Sequence, residues 1–429
     1  MNIPPNKPEP PSAQADIQRL EELHLQGRYQ ESLDICLRLM RTHPEMTSAW
    51  SNAATNCVML GRWQDVFDYA KTALERGKQT LTVHDALASA SGELGRWDDA
   101  RRYGLQALNM REQRFGGPPA IPWPDLPPMP PPPGASTRQH NIISFSLFGQ
   151  QPKYCEAAVL NVREQPRLYP HWICRFYVDD SVPAHVLQRL RQGGAQIMQV
   201  QGPAAQWPGP MWRFLALQDP QAQRILFRDA DAVISRREAA AVDEWLASGK
   251  RFHVMRDWAS HCELMQAGMW GVVAGSLPPL EKLMQRFMSA PLESRHYADQ
   301  YFLRQYVWPY ARVNMMQHDS IFGFMDAAPF PGGEMPSKNF HVGVGEGSGS
   351  FTAKVNLPDG WDLIWRISLI EKDASGQSRE EVVYAYPGVA QNGAVSGNIP
   401  ARHAQRINQG TARVDVFVKS LPPPPASPA

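Results

Sequence analysis

The chain lacks long apolar runs, an excess of charge of either sign, and a regular cysteine pattern. No window of its 429 residues approaches the ~18 consecutive apolar residues that a membrane-spanning helix needs. The N-terminus reads Met-Asn-Ile-Pro-Pro-Asn and has no apolar signal core. Lys and Arg total 43 against 42 Asp and Glu, so no basic field for nucleic acid is implied. These absences predict a protein without a membrane span and without a nucleic-acid partner.

Cysteine is scarce as well, which bears on the compartment. There are five cysteines, an odd number without regular spacing. Secreted disulfide frameworks use paired cysteines, whereas isolated ones are typical of reducing compartments. We therefore expect reduced, mostly buried thiols and a cytoplasmic location. The five are Cys36, Cys57, Cys155, Cys174 and Cys262.

The N-terminal part of the chain contains a repeated sequence motif, Gly-Arg followed by an aromatic residue. Gly27-Arg-Tyr29, Gly61-Arg-Trp63 and Gly95-Arg-Trp97 recur at equal intervals. The interval is that of tetratricopeptide helix pairs, about 34 residues per repeat, and residues 14–115 resemble such pairs. Three pairs are about the minimum that buries a continuous core, and an ordinary helical bundle is the alternative. Such a solenoid usually holds a protein partner or an acceptor chain; dimerisation is the alternative.

Changes in composition predict the remaining boundaries. Residues 116–136 are rich in proline and predict an extended, semi-rigid linker that carries little that could pack. Residues 137–345 are predicted to form an α/β domain. Alternating apolar residues over 346–420 predict a small antiparallel β module. The proline-rich tail, 421–429, is expected to be disordered.

Strands and helices alternate at the start of the predicted α/β domain. The apolar pattern predicts strands at 141–147, 173–180 and 195–200, with helices over 154–162 and 182–190. This order is typical of a mostly parallel sheet with helices on both faces. Ligands of such sheets bind beyond the carboxyl ends of the strands.

Two aspartates follow a further strand. The apolar run Ile225-Leu-Phe227 leads into Asp229 and Asp231, one residue apart. On an extended segment, residues i and i+2 point to the same face. The pair is then placed to share a hard divalent cation that keeps open positions for phosphate oxygens. A strand end with two solvated acids is the alternative, because a lone Asp-x-Asp often occurs by chance.

Neighbouring motifs give the pair a context. They are Met211-Trp-Arg-Phe214, Phe227-Arg-Asp-Ala-Asp231, Ser235-Arg-Arg-Glu238, Met255-Arg-Asp257 with His261, Ala267-Gly-Met-Trp-Gly271, Tyr297-Ala-Asp-Gln-Tyr-Phe-Leu303, Gln317-His-Asp-Ser320 and Phe340-His-Val-Gly343. With this ordered set, the chain from about residue 141 to 341 resembles a GT-A-type glycosyltransferase, with distant similarity to family 8. The resemblance implies transfer of a sugar from a nucleotide-sugar donor to a glycan or protein acceptor.

The resemblance implies a metal centre. Asp229 and Asp231 are its carboxylate ligands, and His341 is the candidate third ligand to Mn²⁺ or Mg²⁺. His341 precedes a glycine-rich segment and is either a mobile ligand or a packing residue. Arg213 and Arg228 are expected to contact the diphosphate or, alternatively, to form ordinary salt bridges.

Other residues are predicted to lie near the donor sugar or the acceptor. Asp299 and Gln300 match the Asp-Gln element that faces the donor sugar or acceptor, and Asp257 is a further candidate catalytic residue. Gly268 and Trp270 combine backbone freedom with an aromatic ring, which suits close approach to a sugar. His318 and Asp319 are a possible base or metal neighbour, or else residues that hold a loop.

Three functions are compatible with these observations. The first is a metal-dependent glycosyltransferase whose repeats recruit an acceptor or partner. The second is a tetratricopeptide scaffold with an inactive transferase-like domain that serves as a binding module. The third is a nucleotidyltransferase or other phosphoryl-transfer enzyme, since paired aspartates on a strand end also serve two-metal chemistry. The third lacks a glycine-rich phosphate loop and a lysine near the aspartates.

Overall fold

A computed structural model of the protein describes residues 13–292, 294–372 and 377–420; the side chains of Lys372 and Ser420 are not described. The predicted disordered tail, 421–429, lies outside these residues. All five cysteines are buried free thiols, as predicted. Within the described part of the chain, no helix combines the length and apolarity that crossing a bilayer requires.

In the described part of the chain, six α-helices precede the first strand and seven follow it. They are α1 Gln14–Leu25, α2 Tyr29–Thr42, α3 Thr47–Met59, α4 Trp63–Glu75, α5 Leu81–Glu93, α6 Trp97–Phe115, α7 Pro152–Leu168, α8 Ala184–Gln192, α9 Arg236–Ser248, α10 Leu280–Met288, α11 Ala298–Phe302, α12 Trp308–Ala311 and α13 Ala401–Asn408.

The strands begin only after the sixth helix. They are β1 Asn141–Leu147, β2 Ile173–Val178, β3 Gln196–Gln199, β4 Arg224–Arg228, β5 Phe252–Arg256, β6 Trp270–Val273, β7 Met315–Asp319, β8 Gly349–Lys354, β9 Asp362–Lys372, β10 Ser378–Val389, β11 Ala394–Ile399 and β12 Ala412–Ser420.

The chain divides into two compact units that each combine two stretches of sequence. Unit one contains the described residues up to Pro132 together with Arg236–Val342. Unit two contains Pro133–Ser235 together with the described residues from Gly343 onwards. The domain boundaries predicted from composition remain a prediction.

The first six helices of unit one form three pairs with the predicted period. Gly27, Gly61 and Gly95 lie in the turns between paired helices with φ of 74°, 68° and 69°. A side chain is strained in this left-handed region, which explains why glycine recurs at the same position of every repeat. Each pair buries an apolar stripe, with Leu33 and Leu87 fully buried. A helical repeat region is therefore confirmed.

The rest of unit one is a small mixed sheet with helices. Strand β5 pairs antiparallel with β6 and parallel with β7. Residues 116–134 of the proline-rich stretch have no regular secondary structure, as expected, but the stretch packs against this region. Trp123 contacts Tyr310 edge to face at 5.0 Å, and the Tyr310 hydroxyl donates to Ile121 O at 2.5 Å. The expectation that the stretch carries little that packs was wrong, because its aromatic residue and carbonyls find partners.

Unit two contains the predicted parallel sheet. Its strands run in the order β3-β2-β1-β4, and each pairs in parallel with its neighbour. Helices α7 and α8 connect β1, β2 and β3. Strand β1 is buried along its whole length, although its sequence, Asn-Ile-Ile-Ser-Phe-Ser-Leu, includes three polar residues. The mostly parallel α/β arrangement is confirmed for these strands.

The C-terminal stretch of unit two adds small antiparallel sheets, as predicted. Three strands pair in the order β10-β9-β12, and β11 pairs with β8. Helix α13 and strand β11 were not predicted. The stretch is fixed to α7 through Glu156, which is buried. Its carboxylate accepts from the Tyr386 hydroxyl at 2.7 Å and from both terminal nitrogens of Arg189 at 2.8 and 2.9 Å.

The stability of this region should depend on pH through His403. The imidazole is buried in α13, 2.8 Å from the Tyr384 hydroxyl. Burial, with nearby arginines led by Arg402, lowers its pKa from 6.5 to about 4. Between about pH 6.5 and pH 4, the His403 imidazole is therefore protonated in the unfolded chain but neutral in the folded chain. Stability should fall through this window by about 1.4 kcal/mol per pH unit.

The measurement is urea unfolding between pH 7 and pH 4, comparing the wild type with His403→Gln. Glutamine can still bond to the Tyr384 hydroxyl but does not titrate. We expect the variant to lose about 3 kcal/mol less on acidification, the span between the two pKa values. Identical pH profiles would show that His403 does not resist protonation in the folded state.

Candidate functional site

The predicted site residues fall into two groups, one in each compact unit. Unit two holds the two arginines and the paired aspartates: Arg213, Arg228, Asp229 and Asp231. Unit one holds the remaining predicted residues: Asp257, Gly268, Trp270, Asp299, Gln300 and His341.

The paired aspartates follow β4 at its carboxyl end, as predicted. The strand ends at Arg228, however, and the chain turns at once, with Ala232 N donating to Asp229 O at 3.3 Å. The expectation of an extended i, i+2 geometry was therefore wrong, because this turn bond replaces the continued strand. The two carboxylates nevertheless remain close enough to interact electrostatically.

The surroundings of Asp231 raise the pKa of its carboxyl group. Burial raises its pKa above the usual range, and the neighbouring negative charge of Asp229 raises it further. Lys153 and Arg213 act in the opposite direction, with smaller effects. The loop therefore carries a carboxylate whose ionisation a bound cation would favour.

Arg213 neutralises Asp229. Its Nη1 donates to Asp229 Oδ1 at 2.5 Å and to Arg228 O at 3.0 Å. The guanidinium is buried, whereas 45% of the Asp229 side chain is exposed. The segment that carries Arg213 is held to β1, since Ser144 Oγ donates to Arg213 O at 2.7 Å. Arg213 thus contacts the acidic loop itself in this structure.

Arg228 is buried within β4. Its Nη1 donates to the carbonyl of Phe227 at 2.8 Å, and only 3% of the residue is exposed. The structure therefore places this guanidinium inside unit two, and the predicted diphosphate contact remains a prediction.

The loop after β4 is held on two sides within unit two. Asn161 of α7 donates to Ala232 O and accepts from Ile234 N, both at 2.9 Å. On the other side, Gly347 N donates to Asp231 O at 3.2 Å. A Cβ at Gly347 would lie 3.0 Å from Lys153, so glycine permits this close approach. The glycine-rich segment that follows His341 in sequence therefore packs against the aspartate loop.

In unit one, Asp257 lies directly after β5 and is fully buried. It accepts from Arg237 at 2.7 and 2.9 Å, from Val342 N at 2.7 Å and from the Ser320 hydroxyl. Both carboxylate oxygens are therefore occupied, which is the environment of a residue that holds segments together. Its catalytic role remains a prediction.

His341 lies in an aromatic cluster. Its ring stacks on Trp258 at 5.3 Å and 9°, and His261 meets it edge to face at 5.4 Å. Burial lowers the pKa of His341, so the imidazole is neutral near pH 7. Its Nδ1 donates to Val342 O at 2.9 Å, which places the ring's remaining lone pair on Nε2. This tautomer suits the predicted role of metal ligand.

His261 supports the same loop. Its Nδ1 accepts from Asp257 N at 3.0 Å, and burial lowers its pKa to about 3. The ring therefore stays neutral and holds the turn after β5. It packs against His341 without a charge of its own.

The predicted sugar-side residues lie mostly in the interior. Trp270 is fully buried in β6, and Gly268 lies in the buried turn before it. Asp299 is 6% exposed and accepts from Gln300 N at 2.9 Å. The Gln300 side-chain amide is oriented so that both its nitrogen and its oxygen have hydrogen-bond partners. The nitrogen donates to Met265 O at 2.7 Å, and the oxygen accepts from Ala267 N at 3.2 Å. Gln300 thus supports the turn that precedes β6.

His318 and Asp319 end β7. Asp319 Oδ1 accepts from Ile321 N and Phe322 N at 2.8 and 2.6 Å, which agrees with holding a loop. His318 is buried between two partners: His253 at 2.9 Å and Glu244 at 2.9 Å.

Several residues of these networks were not predicted. Lys153 and Asn161 belong to α7, far before the aspartates in sequence, and no local pattern marks them. Arg237 lies in the motif Ser235-Arg-Arg-Glu238, so that motif was the available indication. Trp258 is adjacent to Asp257 but carries no pattern of its own.

The oxygen donors of the aspartate loop fit a hard cation such as Mn²⁺ or Mg²⁺. Two neighbouring carboxylates, one with a raised pKa, form a site whose repulsion a divalent ion relieves. Within the described residues, no three His, Cys, Asp or Glu side chains are grouped as metal ligands. As described, the two carboxylates would need phosphate and water oxygens to complete the coordination, and the role of His341 as third ligand remains a prediction.

Comparison with known proteins adds little. No family model matches the chain, and no curated protein does. A solved structure of a Thermobaculum terrenum O-GlcNAc transferase mutant is 14% identical, with a TM-score of 0.26. The match covers 57% of this chain and 53% of that one, so the chain spans about half of that protein's length. At this TM-score the likeness carries no argument.

Proposed function

We propose that the protein is a metal-dependent GT-A-type glycosyltransferase that uses a nucleotide-sugar donor. The observation that carries the proposal is the aspartate pair of unit two, placed directly after β4 at the carboxyl end of a parallel sheet. This is where open α/β sheets bind their ligands. The ordered motifs from residue 141 to 341 support the same class.

In this proposal each residue of the aspartate loop has a distinct task. Asp229 and Asp231 hold Mn²⁺ or Mg²⁺, and the ion stabilises the departing nucleoside diphosphate. Arg213 fixes Asp229 and shares its charge. Asn161 and Gly347 keep the loop in place from two sides. His341 is proposed as a third ligand on the basis of its sequence context and tautomer.

The acceptor is proposed to be a glycan or a protein, recruited through the helical repeats. Solenoids of this kind present extended binding surfaces. A cytoplasmic location is part of the same proposal.

One observation favours the alternative, a scaffold with an inactive transferase-like domain. The Arg213–Asp229 ion pair already satisfies one of the two carboxylates at 2.5 Å. In a binding module this pair would persist, and the loop would not take up a divalent ion. Calorimetric titration with Mn²⁺ distinguishes the two functions, because only the enzyme requires uptake.

The decisive experiment incubates the full-length protein with a panel of nucleotide sugars and Mn²⁺, and measures release of nucleoside diphosphate. We expect release from one donor class, its loss with EDTA, and its return with excess Mn²⁺. Release that is indifferent to EDTA would overturn the metal dependence. No release from any donor, together with no Mn²⁺ uptake, would favour the scaffold.

A further inference from the structure

The third helix pair differs from the other two in how it uses its aromatic residue. Tyr29, Trp63 and Trp97 begin α2, α4 and α6 at the same repeat position. Tyr29 packs on His24 of its own pair at 5.2 Å. Trp97 instead contacts Trp258, outside the repeats, edge to face at 5.8 Å and 74°. Among the described residues Trp63 has no aromatic partner. In the third pair, the aromatic residue of the motif therefore packs against a residue outside the repeats.

Two glycines allow the third pair to approach neighbouring segments closely. A Cβ at Gly92 in α5 would lie 2.2 Å from Ala259 Cβ, and one at Gly104 in α6 would lie 2.1 Å from the Phe322 ring. The equivalent residues one repeat earlier are Val58 and Ala70. Glycine within a helix costs about 1 kcal/mol relative to alanine. The third pair thus carries glycine where it meets the segments after β5 and β7.

Charged residues of α6 extend the same interface. Arg111 donates to both oxygens of Asp85 at 2.9 and 2.7 Å and lies 3.2 Å from Glu263. Glu112 accepts from Trp308 Nε1 at 2.6 Å and from Arg312 Nε at 2.7 Å. The Arg111 side chain is only 6% exposed. The third pair is therefore joined to the rest of unit one by hydrogen bonds and ion pairs as well as by the Trp97 contact.

The contact leads directly to His341. Trp258 meets the edge of Trp97 and stacks flat on His341. Its neighbour Asp257 accepts from Val342 N, so the backbone beside His341 is fixed as well. The His341 ring therefore lies against Trp258, which in turn lies against Trp97.

We propose that Trp97 is a positioning residue that sets the orientation of His341 through Trp258. The third helix pair then belongs to the candidate site and is more than a recruiting module. The importance of His341 for catalysis rests on the proposed function, whereas the positioning itself does not.

The first test is spectroscopic. The protein carries ¹³C-labelled histidine, and the His341 resonance is identified by its loss in His341→Gln. A proton on a ring stacked over an indole experiences a ring-current shift. We expect Trp97→Ala to remove most of that shift, Trp97→Phe to keep it, and Trp63→Ala to leave it unchanged. Trp63 is the matched control, since it occupies the same repeat position.

The second test is functional. We expect Trp97→Ala to weaken Mn²⁺ binding about 10-fold or more, as is typical when the support of a metal ligand is lost. Trp97→Phe should restore it, and Trp63→Ala should behave as the wild type. If the wild type takes up no Mn²⁺, the proposed function fails while the resonance test still decides the positioning. An unmoved His341 resonance in Trp97→Ala, or an equal change in Trp63→Ala, would overturn the inference.

Discussion

Asp231→Asn and Asp229→Asn are each expected to reduce Mn²⁺-dependent donor cleavage by about a thousandfold. A metal ion supplies several kcal/mol of charge stabilisation to a departing diphosphate, and about 1.4 kcal/mol of barrier changes a rate tenfold. Asparagine keeps the shape of the side chain but removes the negative charge that attracts the ion. Calorimetry with Mn²⁺ and nucleoside diphosphate, together with rates of donor cleavage, measures the effect.

The two variants should differ in one respect. Asp231 has a raised pKa partly because Asp229 lies nearby. Asp229→Asn relieves that repulsion and also leaves Arg213 without its carboxylate partner. We therefore expect Asp229→Asn to lower the apparent pKa of Asp231, and Asp231→Asn to leave the Arg213 ion pair in place.

The control is Asp359→Asn, which alters an exposed carboxylate that accepts from Asn392 N in a turn. It should leave Mn²⁺ uptake and cleavage unchanged. Unaltered Mn²⁺ and nucleotide affinity in both Asp229→Asn and Asp231→Asn would rule out the metal site.

Asp257→Ala is expected to lower the free energy of unfolding by about 3–5 kcal/mol, the usual cost of removing one partner of a buried ion pair. The substitution leaves the buried guanidinium of Arg237 without its carboxylate partner. It also removes the acceptors of Val342 N and the Ser320 hydroxyl. A lower midpoint of urea unfolding, followed by tryptophan fluorescence, measures the loss.

The control is Asp243→Ala, an exposed carboxylate on α9, the helix that carries Arg237. Exposed substitutions usually change stability by less than about 0.5 kcal/mol. A stable Asp257→Ala protein that has lost donor cleavage would instead support the catalytic role predicted from the sequence. The same pair of variants therefore separates positioning from catalysis at this residue.

Residues that lie close in sequence explain the parts of the fold that were predicted well. The strand predicted at 141–147 coincides with β1, because it is rich in the β-branched and aromatic residues that favour strands. The three helix pairs were visible from a glycine that must adopt positive φ once per repeat. The short β11 contains Gly397 and Asn398, which are poor strand formers, and was missed.

The candidate site was predictable only in part. Local sequence placed Asp229 and Asp231 after a buried strand, and the structure places them there. Their turn, and the bond from Arg213 to Asp229, depend on contacts that no local pattern encodes. Asp257 was predicted to be a catalytic carboxylate because a motif shows only which residue types occur and in what order. Its partners Arg237 and Val342 lie well before and well after it in the chain, so no local window shows that it is enclosed.

The sequence by itself determined the repeat, the parallel strands of unit two, and the position of the acidic pair. Each follows from periodicity or from residue types within a short window. Only the tertiary structure decided that Arg213 pairs with Asp229, that Asp257 is enclosed, and that Trp97 reaches Trp258. The reason is physical: burial and ion pairing depend on which surfaces meet, and here the surfaces that meet belong to different segments of the chain.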